Sequence, residues 1–429
     1  MAHIGVLIPG ALGHLNPASC LGRELQARDH TVTVFQVLDL EDAVRRTGLE
    51  YQAIGEEQFP SGRYNDYIAH LGTLKGLATL RYTIWFFAFR SRMLFAQGPD
   101  LIRGLGIDLL LVDEVEPAGA IVAEHLHLPY VTLSNALTVY RESNIPPVFT
   151  GWRFSRSYSA KLRNKLGYLL QQLLAKEWLD ALNQQRREWH LAPYRAPEDF
   201  ISHWAHLTQQ PPCFDFPHEH LPPQFHYTGP WHDRRVRPPV PFPFEKLDGR
   251  PLIYASMGTL QNRIQQVFRE IAQACEGLDA QLVISLGGGA KPAQVAPLPG
   301  NPLVVDYAPQ LELLSRAALT ITHAGLNTAL ESLSSGVPMI AIPVGNDQPG
   351  VAARVKWLGT GELLPFKRLR ADRLRTLVKK VLEQESYRLQ VRRLMLEIKR
   401  TDGVEKAADL IEQVLHERRP VLRAATVPI

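Results

Sequence analysis

Cysteine is scarce: Cys20, Cys213 and Cys275 are the only three in 429 residues, with no CxxC pair and no zinc-ligand spacing. That argues against a disulfide framework and a structural metal, and it fits a reducing cytoplasm. No apolar run reaches the roughly 18 uninterrupted residues that a spanning helix needs. Charge of one sign is not in excess either, because 47 Lys and Arg face 43 Asp and Glu, a surplus too small to announce nucleic acid as a partner. Gly10 to Gly13 lacks GxGxxG spacing, which argues against a nicotinamide-dependent dehydrogenase. Met1 to Pro9 has no basic n-region and breaks at Pro9-Gly10, so it suits a buried strand better than a signal peptide. What is present is ordinary for a folded chain, 45% apolar and 21% charged residues, and the length suggests two or three domains.

The pattern along the chain is α/β. Ile4 to Ile8 forms a short apolar run, Gly10 to Gly13 turns, and Asn16-Pro17 is expected to cap and open a helix before the strand Thr31 to Phe35. Asp108 to Val112, a helix near Ala118 to His125, and Tyr130 to Leu133 repeat the alternation, which predicts a parallel sheet covered by helices. Prolines crowd the stretch from Gln210 to Pro251, where regular elements are not expected. The alternation restarts with Leu252 to Ser256, Gln281 to Leu286, Leu303 to Asp306, Leu319 to Thr322 and Val337 to Ile342. The expected division is a first α/β domain over 1–209, a linker over 210–250, a second α/β domain over 251–405, and a helix and tail over 406–429 that packs back on the first domain. Two such units leave a cleft between the carboxyl ends of their strands.

Chemistry-bearing residues concentrate in the second half. They run Tyr307-Ala308-Pro309-Gln310, His323-Ala324-Gly325-Leu326-Asn327-Thr328, Glu331, Gly336-Val337-Pro338 and Asn346-Asp347-Gln348. A strand ending at Thr322, a turn at Gly325 and a helix starting near Asn327 point free N–H groups and a positive dipole end at the cleft, where a diphosphate is held without metal. Asn327, Thr328 and His323 add side-chain donors. Glu331, one turn deeper, can accept from the hydroxyls of a ribose. Tyr307 offers a face to a nucleobase, and Asn346, Asp347 and Gln348 can read sugar hydroxyls.

In this order and spacing the segment resembles the donor-binding signature of family 1 glycosyltransferases, UDP-sugar-dependent enzymes of GT-B fold. The resemblance implies two Rossmann-like domains with parallel sheets facing across a cleft. It implies Tyr307 and Gln310 at the base and adjoining ribose, His323, Asn327 and Thr328 at the diphosphate, Glu331 at the ribose, and Asp347 with Gln348 at the sugar. Gly258 and Thr259 would close around the phosphates, and Ala308, Gly325, Leu326 and Asn346 complete the matched positions. Tyr307 and Leu326 stand where plant members carry tryptophan, which leaves uridine against thymidine open; Glu331 favours UDP. Arg141-Glu142, Ile145-Pro146-Pro147, Gly151-Trp152 and Thr322 to Arg354 resemble the zeaxanthin glucosyltransferase branch of that family.

The first half supplies a base. His14 follows the glycine turn at the mouth of a helix, where its neutral form is expected to be favoured, and Asp113, or its neighbour Glu114, can orient it. In the resembled family a histidine in such a turn deprotonates the acceptor hydroxyl, partnered by an aspartate after a later strand. Trp85, Phe86, Asn135 and Tyr140 are candidates for the acceptor pocket. Thr83 to Phe95 carries two readings, a core and pocket-lining helix or an interfacial helix at a membrane surface. The expected protein is an inverting hexosyltransferase with a UDP-sugar donor and a lipophilic alcohol acceptor, needing no prosthetic group and no metal. A UDP-sugar epimerase of the same fold and a non-catalytic nucleotide-sugar-binding protein are the alternatives.

Overall fold

The structure is a computed structural model that describes residues 1–71, 73–74, 77–233, 237, 239–259 and 264–423. Pro238 of the expected linker and the end of the expected tail, 424–429, lie outside the described residues. The apolar runs become strands, all paired in parallel, so every connection crosses over a sheet face. The first sheet contains β1 (His3–Leu7), β2 (Thr31–Gln36), β3 (Glu50–Ala53), β4 (Leu109–Asp113), β5 (Tyr130–Ser134), β6 (Ala205–Thr208) and β7 (Phe225–Tyr227). The second contains β8 (Leu252–Ser256), β9 (Gln281–Ser285), β10 (Leu303–Val305), β11 (Ala317–Thr322), β12 (Met339–Ala341) and β13 (Gly361–Leu363). Strand orders are 3-2-1-4-5-6-7 and 10-9-8-11-12-13. Each sheet therefore reverses its winding once, between β1 and β4 and between β8 and β11. Open α/β sheets bind ligands outside the carboxyl ends of their strands at such reversals.

Two local features differ from the sequence reading. The first helix, α1, spans Leu12–Ala27, so Pro17 lies inside it rather than at its start, and Ala11 provides no side-chain cap. A proline inside a helix deprives the carbonyl four residues earlier of its donor, here that of Gly13. The proline-rich stretch also contains β7, whose three residues carry no proline and pair with β6 at the sheet edge.

The chain crosses between lobes twice. After β7 it passes to β8, and at its end the Gly403–Glu417 helix returns to lie on α1. There Ala407, Ala408 and Ile411 join Leu21 and Leu25 in one apolar core. Arg28 Nη1 adds contacts to Asp409 Oδ1 at 2.6 Å and Glu412 Oε2 at 2.7 Å. The lobes also meet directly. Leu137 and Phe214 pack into the core that holds Leu326 and Leu330, and Gly350 N–H donates to Val148 O at 2.9 Å.

One ion pair fixes this junction: Arg354, in the Gln348–Trp357 helix, donates through Nη2 to Asp215 Oδ1 at 2.7 Å, and its guanidinium lies over the Phe216 ring. Both groups are almost completely buried. Removing one partner of such a pair leaves an uncompensated charge. Asp215→Ala is therefore expected to cost about 3–5 kcal/mol, read as a lower urea midpoint, and an unchanged midpoint would show that the pair does not hold the lobes.

Candidate functional site

The two winding reversals face each other, and the candidate residues lie at them. At the first, β1 leads into α1, whose first turn carries His14, and β4 ends at Asp113, 99 residues later. His14 Nδ1 lies 2.7 Å from Asp113 Oδ2. The same oxygen accepts from Asn135 Nδ2 at 2.7 Å, and Oδ1 accepts from Val115 N–H at 3.0 Å. With Nδ1 tied to the carboxylate, His14 Nε2 has no hydrogen-bond partner among the described residues and the imidazole retains 20% exposure. Glu114 turns elsewhere: it accepts from Ser134 Oγ at 2.6 Å, Thr138 Oγ1 at 2.9 Å and Val139 N–H at 2.9 Å. Burial outweighs those donors and lifts its carboxyl to about 7. Of the two carboxylates, Asp113 is the one on the histidine.

The sequence reading expected the neutral imidazole to be favoured, and here the structure corrects it. Burial does pull His14 down, but the charge and hydrogen bond of Asp113, with Asp347 and Glu116 behind, push harder, and the net direction is up from 6.5. Those carboxylates come from two segments far from His14 in the chain, the turn Asp113 to Glu116 and the loop at Asp347, which no local pattern around His14 reveals.

At the second reversal the strand-to-helix turn is tight. Ala324 takes a left-handed φ of 66°, a conformation costing about 1–3 kcal/mol outside glycine. His323 stands between two glycines: a Cβ on Gly258 would lie 2.5 Å from its ring, and one on Gly325 would lie 2.6 Å away. Burial lowers His323 to about 4, against a backbone hydrogen bond to Ser256, so it is neutral at ordinary pH. The Leu326–Ser334 helix then begins with Gly325 as an N-cap that offers no side chain to the first amides.

Asn327, the first polar side chain of that helix, reaches across the cleft. Its Nδ2 donates to Gly13 O at 2.7 Å, the carbonyl that Pro17 leaves without a helical donor. Its Oδ1 accepts from Gln209 Nε2 at 2.7 Å, and Gln209 Nε2 also lies 2.7 Å from Asn135 O. A chain of polar contacts thus runs from His14 through Asp113, Asn135 and Gln209 to Asn327 and back to Gly13, the residue before His14 in α1.

The remaining candidates fall into three groups. Glu331 is buried, paired with the Arg237 guanidinium of the interlobe segment, and accepts from Gln310 Nε2 at 2.6 Å. Gln310 Oε1 in turn accepts from Tyr254 OH at 3.0 Å, and Thr328 is buried nearby. Tyr307 is 45% exposed and stands over Gly288, where a Cβ would meet its hydroxyl at 2.3 Å. Asp347 accepts from Leu137 N–H at 3.1 Å, and burial raises its carboxyl. Gln348 Oε1 accepts from Val344 and Gly345 N–H, which shapes the loop carrying the exposed, left-handed Asn346. Leu326 and Ala308 face apolar cores, and Thr259 is exposed in the turn after β8.

Among the acceptor candidates, Asn135 belongs to the Asp113 cluster. Phe86 is buried against Phe59, Tyr64 and Tyr67, whereas Trp85 is half exposed and stacked on Phe89. The Leu77–Gly104 helix that carries them buries Phe86, Met93, Leu94 and Phe95 in the core of the first lobe, which fits the core and pocket-lining reading of Thr83 to Phe95. Tyr140 OH donates to His220 O at 3.0 Å. Three participants escaped the sequence reading: Gln209, Arg237 and the Gly13 carbonyl. Only the last left a sign, in the Gly13–Pro17 spacing.

Among solved structures, the glycotransferase of kitacinnamycin aligns with TM-score 0.74 at 22% identity, covering 96% of this chain and 98% of that one. A Streptomyces sp. SF2575 glycosyltransferase complexed with thymidine diphosphate aligns with TM-score 0.67 at 17% identity, covering 96% and 100%. The fold is that of a GT-B glycosyltransferase, two Rossmann-like domains facing across a cleft. The sequence profile of the UDP-glucoronosyl and UDP-glucosyl transferases matches residues 102–426, and the chain belongs to that family. A zeaxanthin glucosyltransferase of Pantoea ananas is 30% identical over 430 aligned residues, 98% of each chain. The protein is therefore a glycosyltransferase.

The electrostatics of the His14 pocket can be measured directly. The imidazole is expected to titrate above 6.5 by nitrogen-15 NMR, and Asp113→Asn to lower that value because burial remains while the charge is gone. The raised value stabilises the fold fully below the unfolded pKa of 6.5, and that contribution is lost as pH rises through the folded value. A titration below 6.5 in the wild type would contradict the assigned balance.

Proposed function

We propose that the chain is an inverting hexosyltransferase that moves a hexose, glucose in the first instance, from UDP to a hydroxyl of a lipophilic small molecule such as a carotenoid, terpenoid or phenolic. The observation that carries this reading is the His14–Asp113 pair at one winding reversal, set opposite the Leu326 helix N-terminus at the other. The kinship with a zeaxanthin glucosyltransferase supports a lipophilic alcohol as acceptor.

In this reading His14 Nε2 takes the proton of the acceptor hydroxyl as that oxygen attacks the anomeric carbon, and Asp113 holds the ring and stabilises the imidazolium. UDP leaves from the opposite side of the carbon, so an α-linked donor yields a β-linked product. Its developing charge meets the first amides of the Leu326–Ser334 helix and the neutral His323. Asp347 and Gln348 address the sugar. The lobes exclude water, whose attack on the donor is the competing reaction. Residues 1–209 hold the acceptor and 251–405 the donor.

His14→Ala is expected to reduce transfer by about 10²–10⁴-fold while UDP still binds, the usual range for a general base. In the wild type, transfer should fall as pH drops through the raised pKa of His14, because only the neutral ring accepts a proton. Normal transfer by the variant, or retention of the anomeric configuration by proton NMR, would reject the mechanism. An epimer formed from UDP-sugar alone would favour an epimerase instead.

Glu331 is assigned to the ribose, a role for which the nucleotide must displace Arg237. In an Arg237→Ala background, Glu331→Ala should weaken UDP by about tenfold and 2'-deoxy-UDP far less, since hydrogen bonds to a charged group contribute about 1.5–3 kcal/mol. Equal losses in calorimetry would remove Glu331 from the ribose.

A further inference from the structure

The helix Tyr158–Leu174 is amphipathic in the reverse sense. Its buried residues are the small or polar Ala160, Asn164 and Gly167. Its leucines face out: Leu162, Leu166, Leu169, Leu170 and Leu173 are 49–62% exposed, and Tyr158 at the first turn is 83% exposed. At 3.6 residues per turn these six side chains fall within an arc of about 120°.

The orientation is locked from below. Asn164 Nδ2 donates to Ser143 O at 2.9 Å and Tyr168 OH to Ile145 O at 3.0 Å. Gly167 sits so close to the body that a Cβ there would lie 2.9 Å from Pro147 and 3.0 Å from Trp152. Rolling the leucines inward would break these contacts and drive larger side chains into that space. A contiguous apolar stripe on a soluble face marks an interaction site.

The surrounding charge selects the partner. Between Glu142 and Glu177 the chain has no acidic residue and six cations, Arg153, Arg156, Lys161, Arg163, Lys165 and Lys176, of which Arg156 pairs with Glu219 and Lys176 with Asp180. On the helix, Lys161 and Lys165 border one edge of the stripe and Arg163 the other. Neither lysine has a carboxylate within ion-pair distance among the described residues. Pairing two copies through the stripe would bring like charges together. An anionic bilayer instead accepts leucines into its acyl boundary and lysines at its headgroups.

We infer that this helix docks the enzyme on anionic phospholipid membranes. The segment that anchors it, Ser143 to Ile145, follows Asn135, the residue bonded to Asp113, so the docked face adjoins the half of the molecule that carries the base. Delivery of a bilayer-dissolved alcohol to His14 rests on the transfer reading above. Docking itself does not.

The test is flotation with phosphatidylcholine vesicles containing or lacking 30% phosphatidylglycerol, for the full chain and two variants. The wild type should float with the anionic vesicles only, and release in 0.5 M NaCl should follow. Leu166→Glu/Leu170→Glu and Lys161→Glu/Lys165→Glu should each lower the bound fraction at least about tenfold, as the loss of apolar anchors or of two headgroup contacts implies. UDP affinity and melting temperature should not change in either variant, because all four side chains lie outside the core. Absence of flotation, equal flotation of the variants, or a wild-type dimer that Leu166→Glu/Leu170→Glu disperses would overturn the assignment, the last in favour of self-association. If docking holds while His14→Ala leaves transfer intact, the surface stands and the mechanism falls.

Discussion

A carbonyl without its helical partner ties the two lobes of this molecule together. Pro17 has no N–H to offer the Gly13 oxygen, and the amide of Asn327, on the other lobe, donates to it at 2.7 Å. Because the other end of the same amide engages Gln209, and Gln209 reaches the backbone of Asn135, the position of the second lobe is referred to the residues that hold Asp113 and His14. The two sites are thus registered by directional contacts, where apolar packing alone would tolerate sliding. A reaction joining groups held by different lobes needs such registration, since misplacement by about an ångström can cost a hundredfold in rate.

Much of the architecture was legible because buried parallel strands appear as uninterrupted apolar runs, as in Leu109 to Val112 and Leu252 to Ser256. The two edge strands of the first sheet were not: Glu50–Ala53 is mostly polar, and Phe225–Tyr227 is a three-residue island among prolines. The beginning of α1 was misplaced because proline is common in the first helical position, and here it occupies the sixth. At the site, the proximity of His14 and Asp113 was readable despite their separation, since parallel neighbours end at the same sheet edge. Arg237 was not, because it lies in a segment without periodicity and is identified only by its partner, Glu331.

The ionisation of the pocket illustrates a second limit. Helix position alone argues for a neutral His14, yet Asp113 and Glu116 from the turn after β4 and Asp347 from the other lobe all approach it. Nearby, Glu116 is paired with Arg90 at 3.1 Å, and Tyr64 OH donates to Gly10 O at 2.7 Å. Local motifs name the groups; only the fold sums their fields. For the proposed reaction the sum produces a stronger base that works in a narrower, more alkaline range.

The two crossings between lobes touch. Gly229, just past β7, and Gly403, at the start of the returning helix, approach so closely that a Cβ on Gly403 would lie 2.6 Å from the Gly229 backbone. Two tethers placed far apart would clamp the lobes rigidly, and one alone would let them swivel. Side by side they tie the halves at a single place, so that everything else which sets their mutual bearing must come from noncovalent contacts such as the Arg354–Asp215 pair.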